Sequence, residues 1–114
     1  MIKFFVPTRP RELKYRFGKG RIFCSPETKE YRRVIGIYAK LKGVVPSKGP
    51  IKLAFNFYIK NKKLADLSNY IKNAEQALQG IAFKNDNQVE EIIARRIKHP
   101  YLEGTDITIA CLIK

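Results

Sequence analysis

Two aspartates stand out because they are acids in a chain dominated by bases. Asp66 follows a basic segment and precedes an apolar helical pattern, and Asp86 lies in the polar run Lys84-Asn85-Asp86-Asn87-Gln88. A carboxylate on a surface that attracts phosphate weakens that attraction unless a cation sits between the two. The two aspartates are therefore candidate ligands for a divalent cation that also binds a phosphate.

Each aspartate also has an ordinary structural interpretation. Asp66 stands at the start of a predicted helix, where a capping carboxylate contributes about 1 kcal/mol to stability. Asp86 lies between two asparagines, and Asn and Asp are favoured in turns. Sequence spacing does not show that the two side chains meet, so both interpretations stay open.

The charge of the chain indicates a polyanionic partner. The formal net charge is +13, from 23 Lys and Arg against 10 Asp and Glu. Residues 1–65 contain 17 basic and 3 acidic residues, whereas residues 66–114 contain 6 basic and 7 acidic ones. A nucleic acid is a better candidate partner for the basic half, residues 1–65, than a membrane surface, because no basic amphipathic helix with an apolar membrane face is evident.

Apolar periodicity predicts one α/β (α+β) domain over residues 1–114, with a mixed β-sheet packed against two helices. Strands are predicted at 2–6, 51–60 and 105–113, and at 89–98 β-branched residues favour a strand over a helix, which the Glu91–Arg95 spacing would also suit. One helix is predicted from the Ser25 cap to Gly43, and another from Asp66 to Gly80. Between the first strand and the first helix lies a basic arm, residues 9–21, predicted to be a loop or a hairpin.

Other features narrow the class of protein. No apolar run approaches the length of a membrane span and no signal peptide is evident, so we expect a cytoplasmic protein without a membrane partner. Cys24 and Cys111 predict neither a zinc site nor a disulfide, and both are expected to be small buried hydrophobic residues. His99 precedes Pro100 and is expected in a surface loop.

The second predicted helix and the loop after it resemble the RusA-like Holliday junction resolvases, a family of crossover junction endodeoxyribonucleases. The family pattern is Asp-x-Asp-Asn, a lysine three residues on, Asp-Ala-Leu, and then Asp-Asp-x-Gln-Val or Gln-Ile. The matching runs are Asp66-Leu67-Ser68-Asn69-Tyr70-Ile71-Lys72, Gln76-Ala77-Leu78 and Asn85-Asp86-Asn87-Gln88-Val89. The N-terminal part is similar as well, at Pro10, Lys14, Arg16, Phe23, Ser25, Pro26 and Tyr31.

This resemblance implies a homodimeric, Mg²⁺-dependent endonuclease, with Mn²⁺ as an alternative ion, that resolves four-way DNA junctions by paired symmetric nicks. Asp66 corresponds to the first metal-binding aspartate of the family, Asp86 to the third, and Lys72 to the essential lysine. These three are the expected catalytic residues. Ser68 replaces the second aspartate, and Gln76 and Asn85 replace further acids. The replacements leave a second hypothesis open, a catalytically weak or inactive junction-binding protein of the same fold.

Glu75 is a candidate for the missing carboxylate. Helical spacing at i, i+4, i+7 and i+11 places four polar residues on one stripe, namely Ser68, Lys72, Glu75 and Gln79. We hypothesise that Asp66, Asp86 and Glu75 hold the metal ion, with Ser68 hydrogen-bonded to a water molecule on it. The alternative is an ion pair of Glu75 with Lys84 or with the lysine of its own stripe.

Basic residues of the first half form the expected DNA-binding surface. They come from the arm, from the exposed face of the first helix and from the turn after the second strand: Arg9, Arg11, Lys14, Arg16, Lys19, Arg21, Arg32, Arg33, Lys62 and Lys63. For the arm, a solvated loop is the alternative. Phe17 and Phe23 lie beside these cations, and core packing is predicted for both rather than insertion into a junction.

Overall fold

The computed structural model describes residues 1–60 and 64–112. Strands and helices follow the periods of two and of three to four residues in the sequence. In chain order they are β1 (Ile2–Val6), β2 (Tyr15–Gly18), β3 (Arg21–Cys24), α1 (Pro26–Leu41), β4 (Ile51–Ile59), α2 (Leu67–Leu78), the 3₁₀-helix Asp86–Gln88, β5 (Val89–Lys98) and β6 (Gly104–Cys111). The predicted α+β class is confirmed, and residues 89–98 are indeed a strand.

One four-stranded sheet has the order β1-β6-β4-β5, and β2 and β3 form a separate two-stranded hairpin. In the sheet, β6 is antiparallel to both β1 and β4, whereas β4 is parallel to β5. A parallel pair needs a crossover connection, and α2 lies within the connection from β4 to β5. This crossover packs α2 against the sheet and returns the chain through a loop to the start of β5.

The central strand β4 supplies the middle of the core. Every second side chain, from Ile51 to Ile59, is buried, and the intervening ones are half-buried. The Phe57 ring stacks between those of Phe55 and Tyr70, with centroid distances of 5.5 Å on either side. Tyr70 belongs to α2, so these rings attach the helix to the sheet.

One polar pair lies inside this core. The hydroxyls of Tyr31 and Thr105 are 2.5 Å apart, and both residues are buried. Burial raises the pKa of Tyr31, so the phenol stays neutral. Thr105 is the one polar member of the otherwise apolar face predicted for the last strand, and Tyr31 provides its hydrogen-bond partner.

The burial predicted for four side chains is wrong. Phe17 and Phe23 do not pack in the core but are 82% and 38% exposed, because they lie on the two-stranded hairpin outside the main sheet. Cys24 is half-buried and Cys111 is exposed, near the end of β6. Both cysteines are free, as predicted.

His99 lies in the loop between β5 and β6, as predicted. Its Nδ1 accepts hydrogen bonds from the backbone N–H groups of Tyr101 and Leu102, at 3.1 and 2.8 Å. The imidazole therefore shapes this turn. Across residues 1–60 and 64–112, no helix is both long and apolar enough to cross a membrane.

Gly104→Ala tests the close pairing of β1 with β6. A Cβ at Gly104 would lie 2.2 Å from Phe5 Cζ and 2.8 Å from the main-chain oxygen of Val6, which cannot swing away. We expect the free energy of unfolding in urea to fall by roughly 1–3 kcal/mol. Gly49→Ala is the matched control, because a Cβ at that position would meet no atom within 4 Å beyond its chain neighbours. Equal stability of the two variants would contradict this packing.

Candidate active site

A cleft of about 570 Å³ lies where α1, α2 and the Asp86–Gln88 helix meet. Its lining residues are Arg32, Lys72, Glu75, Gln76, Gln79 and Asp86. The structure thus brings together three residues of the predicted site, Lys72, Glu75 and Asp86. Arg32, predicted to bind DNA, joins them from α1.

Helical spacing explains the α2 wall of the cleft. Tyr70, Ala74 and Leu78 are buried against the sheet and α1. Lys72, Glu75 and Gln79 lie on a neighbouring stripe, so the helix turns its polar face away from the core and toward the cleft.

The loop after α2 carries Asp86 back to this wall. Gly80 takes a positive φ of 89°, and its N–H donates to the main-chain oxygen of Phe83 at 2.7 Å. Ala82 and Phe83 are buried and anchor the turn. The chain is thereby reversed, and Asp86 faces the C-terminal half of the helix it has just left.

Gln88 holds this loop against a second one. Its Oε1 accepts from the backbone N–H groups of Lys84 and Asn85, both at 3.0 Å. Its Nε2 donates to the main-chain oxygens of Ser47 and Gly49, both at 2.9 Å. The glutamine of the family pattern therefore positions the backbone on either side of Asp86.

Arg32 is oriented by two amide side chains of α2. Its Nε donates to Asn73 Oδ1 at 2.6 Å, and its Nη2 donates to Gln76 Oε1. Asn73 is fully buried and also donates to the main-chain oxygens of Arg11 and Thr28. Sequence reasoning missed Asn73; the available signal was a polar residue between Tyr70 and Ala77 on the buried side of α2.

The two carboxylates of the cleft interact unfavourably. Burial raises the pKa of Glu75, and the charge of Asp86 raises it further. Within residues 1–60 and 64–112, no ion pair joins Glu75 to Lys72 or Lys84, which was the alternative interpretation. A cation between Glu75 and Asp86 would relieve both effects.

Asp66 and Ser68 lie at the other end of α2 and do not line this cleft. Asp66 precedes Glu75 by nine positions, which is about 13 Å along a helix axis. It occupies the N-cap position, but its exposed side chain makes no cap hydrogen bond. Among the described residues, no three His, Cys, Asp or Glu side chains form a group that could hold one ion.

Several of the predicted DNA-binding cations have acidic neighbours. Arg9 lies 4.0 Å from Glu103, Arg16 lies 3.6 Å from Glu27, and Arg33 lies 2.6 Å from Glu30. The side chains in these pairs are partly or largely exposed, so the pairs are weak and a phosphate can compete for the arginines. Lys62 and Lys63 fall outside the described residues.

Comparison with known protein families gives a match over nearly the whole chain. The endodeoxyribonuclease RusA family matches residues 5–110 of the 114-residue chain. The chain belongs to this family. It is therefore an endodeoxyribonuclease of the Holliday junction resolvase type, and the resemblance seen in the sequence is confirmed. No curated protein sequence matches the chain.

For a RusA-family endonuclease, the composition of the cleft suits a phosphodiester. Lys72 and Arg32 place cationic groups that can interact with phosphate oxygens, and Glu75 and Asp86 place carboxylates that can hold a cation. Gln76 and Gln79 add neutral amides at the rim. The cleft thus combines the two kinds of group that hydrolysis of a phosphate ester requires.

Gln88→Leu tests whether this glutamine positions Asp86. The variant loses all four hydrogen bonds of the amide, so we expect the free energy of unfolding to fall by roughly 1–3 kcal/mol in urea denaturation. DNA cleavage should fall more than DNA binding, because the backbone around Asp86 is released. Asn87→Ala, at the exposed neighbouring position, is the control and should stay within about 0.5 kcal/mol of the wild type.

Glu75→Gln tests the electrostatic strain of the cleft. Because the pKa of Glu75 is raised, the folded state takes up a proton at a pH where the unfolded chain has lost it. The free energy of unfolding of the metal-free wild type should therefore increase as the pH falls from neutral, through the raised pKa of Glu75, toward the ordinary pKa of a glutamate side chain. Thermal denaturation against pH, in a chelator, should show that the variant lacks this gain and is the more stable protein at neutral pH.

Glu30→Gln is the opposing control for that measurement. The Arg33 guanidinium, which hydrogen-bonds Glu30, lowers the pKa of that carboxyl. Its contribution to stability is therefore present above the usual pKa of glutamate and is lost on acidification. An unchanged pH dependence in Glu75→Gln would contradict the repulsion between Glu75 and Asp86.

Proposed function

We propose that this endonuclease cuts four-way DNA junctions by paired symmetric nicks, with the cleft around Glu75 and Asp86 as its active site. The observation that carries the proposal is that these two carboxylates line one cleft together with Lys72 and Arg32. In a chain of net charge +13, an acidic pair on a phosphate-binding face is unfavourable without a cation.

The carboxylates fit a divalent cation. Mg²⁺ commonly takes one or two protein carboxylates, retains several waters and accepts a substrate phosphate oxygen. Glu75 and Asp86 are the residues that would hold it, and Mn²⁺ suits the same oxygen ligands. When bound, the ion supplies Lewis-acid chemistry, which neutralises charge on the phosphate and activates a water nucleophile.

The remaining cleft residues act on the phosphate. Lys72 is exposed and can place its ammonium beside the attacked phosphate or the leaving oxygen as negative charge develops there. Arg32 is oriented before DNA binds, because Asn73 and Gln76 occupy two of its donors. Its remaining N–H groups can bind a neighbouring phosphate of the same strand.

Asp66 and Ser68 are proposed as further contributors from the N-terminal end of α2. The side chain of Asp66 is exposed and makes no cap hydrogen bond, so a helix-capping role does not account for it. Because α2 separates Asp66 from the cleft carboxylates Glu75 and Asp86, any contribution of Asp66 would come at a second position near the start of the helix. Asp66→Asn separates it from the Glu75 hypothesis.

A homodimer is part of the proposal. A four-way junction has two-fold symmetry and needs one nick on each of two strands, so two identical active sites related by a two-fold axis match it. We place the protein in the cytoplasm with its DNA substrate. The two free cysteines agree with a reducing compartment.

Cleavage of a labelled four-way junction tests the proposed function. The wild type should produce paired symmetric nicks with Mg²⁺ and none in a chelator. Asp86→Asn and Glu75→Gln should lower the rate at least tenfold, and Lys72→Met should lower it by roughly 10² while junction binding persists. Loss of cleavage in Asp66→Asn would show that the Asp66 carboxylate also belongs to the active site.

Glu91→Gln is the matched control, since Glu91 pairs with Lys52 on the sheet, away from the cleft. It should cut like the wild type. Tight junction binding without cutting under either metal would instead establish the junction-binding protein. Full cleavage activity of both Glu75→Gln and Asp86→Asn would show that the cleft is not the active site.

A further inference from the structure

The β2–β3 hairpin exposes an apolar face to solvent. Phe17 and Ile22 form a cross-strand pair and are 82% and 59% exposed. Tyr15, two residues from Phe17 on the same face, is 53% exposed. Water is a poor environment for three large apolar side chains on so small an element, so this face is suited to a partner.

The opposite face of the hairpin is cationic. Arg16 and Arg21 lie there with Phe23, whose ring covers Gly18 so closely that a Cβ on Gly18 would lie 3.0 Å from Phe23 Cε1. A notch of about 380 Å³ opens on this side, and it is lined by Gly18, Lys19, Arg21, Phe23 and Lys29. In the described part of the chain, neither Lys19 nor Arg21 is in an ion pair.

A lysine occupies the tip of the hairpin in an unfavourable conformation. Lys19 and Gly20 form a two-residue turn with φ values of 51° and 75°, as a type I′ turn requires. Asn, Asp or Gly is the usual residue at the first of these positions, because positive φ disfavours longer side chains. The turn therefore keeps a cation at the most prominent point of the hairpin.

The base of the hairpin is attached to the start of α1. The backbone N–H of Lys14 donates to Thr28 Oγ1 at 3.1 Å, and the backbone N–H of Ser25 donates to the main-chain oxygen of Lys14 at 2.8 Å. Lys29 of the notch and Arg32 of the cleft are three residues apart on α1, so they share one helix face. One face of α1 therefore connects the notch at the hairpin with the cleft.

We propose that the apolar face of this hairpin binds a nucleobase that has left the duplex stack at a branch point, while the cations at the tip and on the opposite face attract the surrounding DNA backbone. Aromatic rings and unstacked bases are complementary, and the neighbouring cations supply attraction to the backbone. Bases within an intact duplex are already stacked, so the hairpin favours branched over linear DNA. This inference rests on the proposed function and assigns its substrate preference to Phe17.

Fluorescence of 2-aminopurine placed beside the branch of a four-way junction tests the inference, in a chelator so that no cutting occurs. Binding of the wild type should raise the fluorescence, because the probe base unstacks. Phe17→Ala should remove most of this rise and weaken junction binding roughly tenfold, the size of one lost base stack. Its affinity for duplex DNA should be unchanged, and Phe17→Trp should restore the signal.

Two further variants separate stacking from charge and from general surface effects. Leu41→Ala removes another exposed apolar side chain, at the end of α1, and should behave like the wild type. Arg21→Gln should weaken binding to junction and duplex alike. It should also reduce the number of counterions released on binding by about one, as measured from the slope of log affinity against log salt concentration. Thermal denaturation should show that Phe17→Ala folds as the wild type does, since Phe17 is exposed.

Three results would overturn the inference. The first is a saturated wild-type complex without a rise in fluorescence, and the second is a Phe17→Ala variant equal to the wild type. The third is dissociation of a wild-type dimer by Phe17→Ala in sedimentation, which would assign the apolar face to a second copy of the chain. Glu75→Gln separates this question from the proposed function, because it should abolish cutting and keep the fluorescence signal.

Discussion

The buried amide of Asn73 is the interaction on which the cleft depends. Its Nδ2 donates to the main-chain oxygens of Arg11 and Thr28, and its Oδ1 accepts from Arg32 Nε. These partners belong to the basic arm and to two turns of α1, so one side chain of α2 connects the arm with both turns. An unsatisfied buried amide costs about 1–3 kcal/mol. The arm, α1 and α2 are therefore coupled, and Arg32 is oriented before DNA arrives.

On the other side of the cleft, the fold places the carboxylates of Glu75 and Asp86 together although their charges repel. Burial and the charge of Asp86 raise the pKa of Glu75, while Gln88 and the buried residues Ala82 and Phe83 fix the backbone of the loop that carries Asp86. Such a local conflict lowers stability and is typical of functional sites, where a ligand relieves it. A cation between the two carboxylates would relieve this conflict, which is why we propose the cleft as a cation site.

Local patterns in the sequence predict most of the fold. The alternation in β4, the Ser25 cap of α1 and the helical stripe with Lys72 and Glu75 all depend on residues a few positions apart, and the structure agrees with each. The approach of Asp86 to Glu75 depends on a turn and on hydrogen bonds to a distant loop, so spacing does not reveal it. Asn73 was missed for the same reason, since its partners lie far away in sequence. Phe17 was misplaced because hydrophobicity does not show whether a second element covers a strand.

Charge in this protein has to be counted by surface rather than by composition. Arg9, Arg16 and Arg33 each lie beside a glutamate, so part of the positive charge of the first half is already balanced locally. Lys19 and Arg21 at the hairpin and Arg32 and Lys72 at the cleft have no such acidic partner among the described residues. Lys29 and Arg32 share one face of α1, where Lys29 lines the notch at the hairpin and Arg32 lines the cleft. A phosphate would therefore meet uncompensated positive charge at the hairpin and at the cleft, two places that one face of α1 connects.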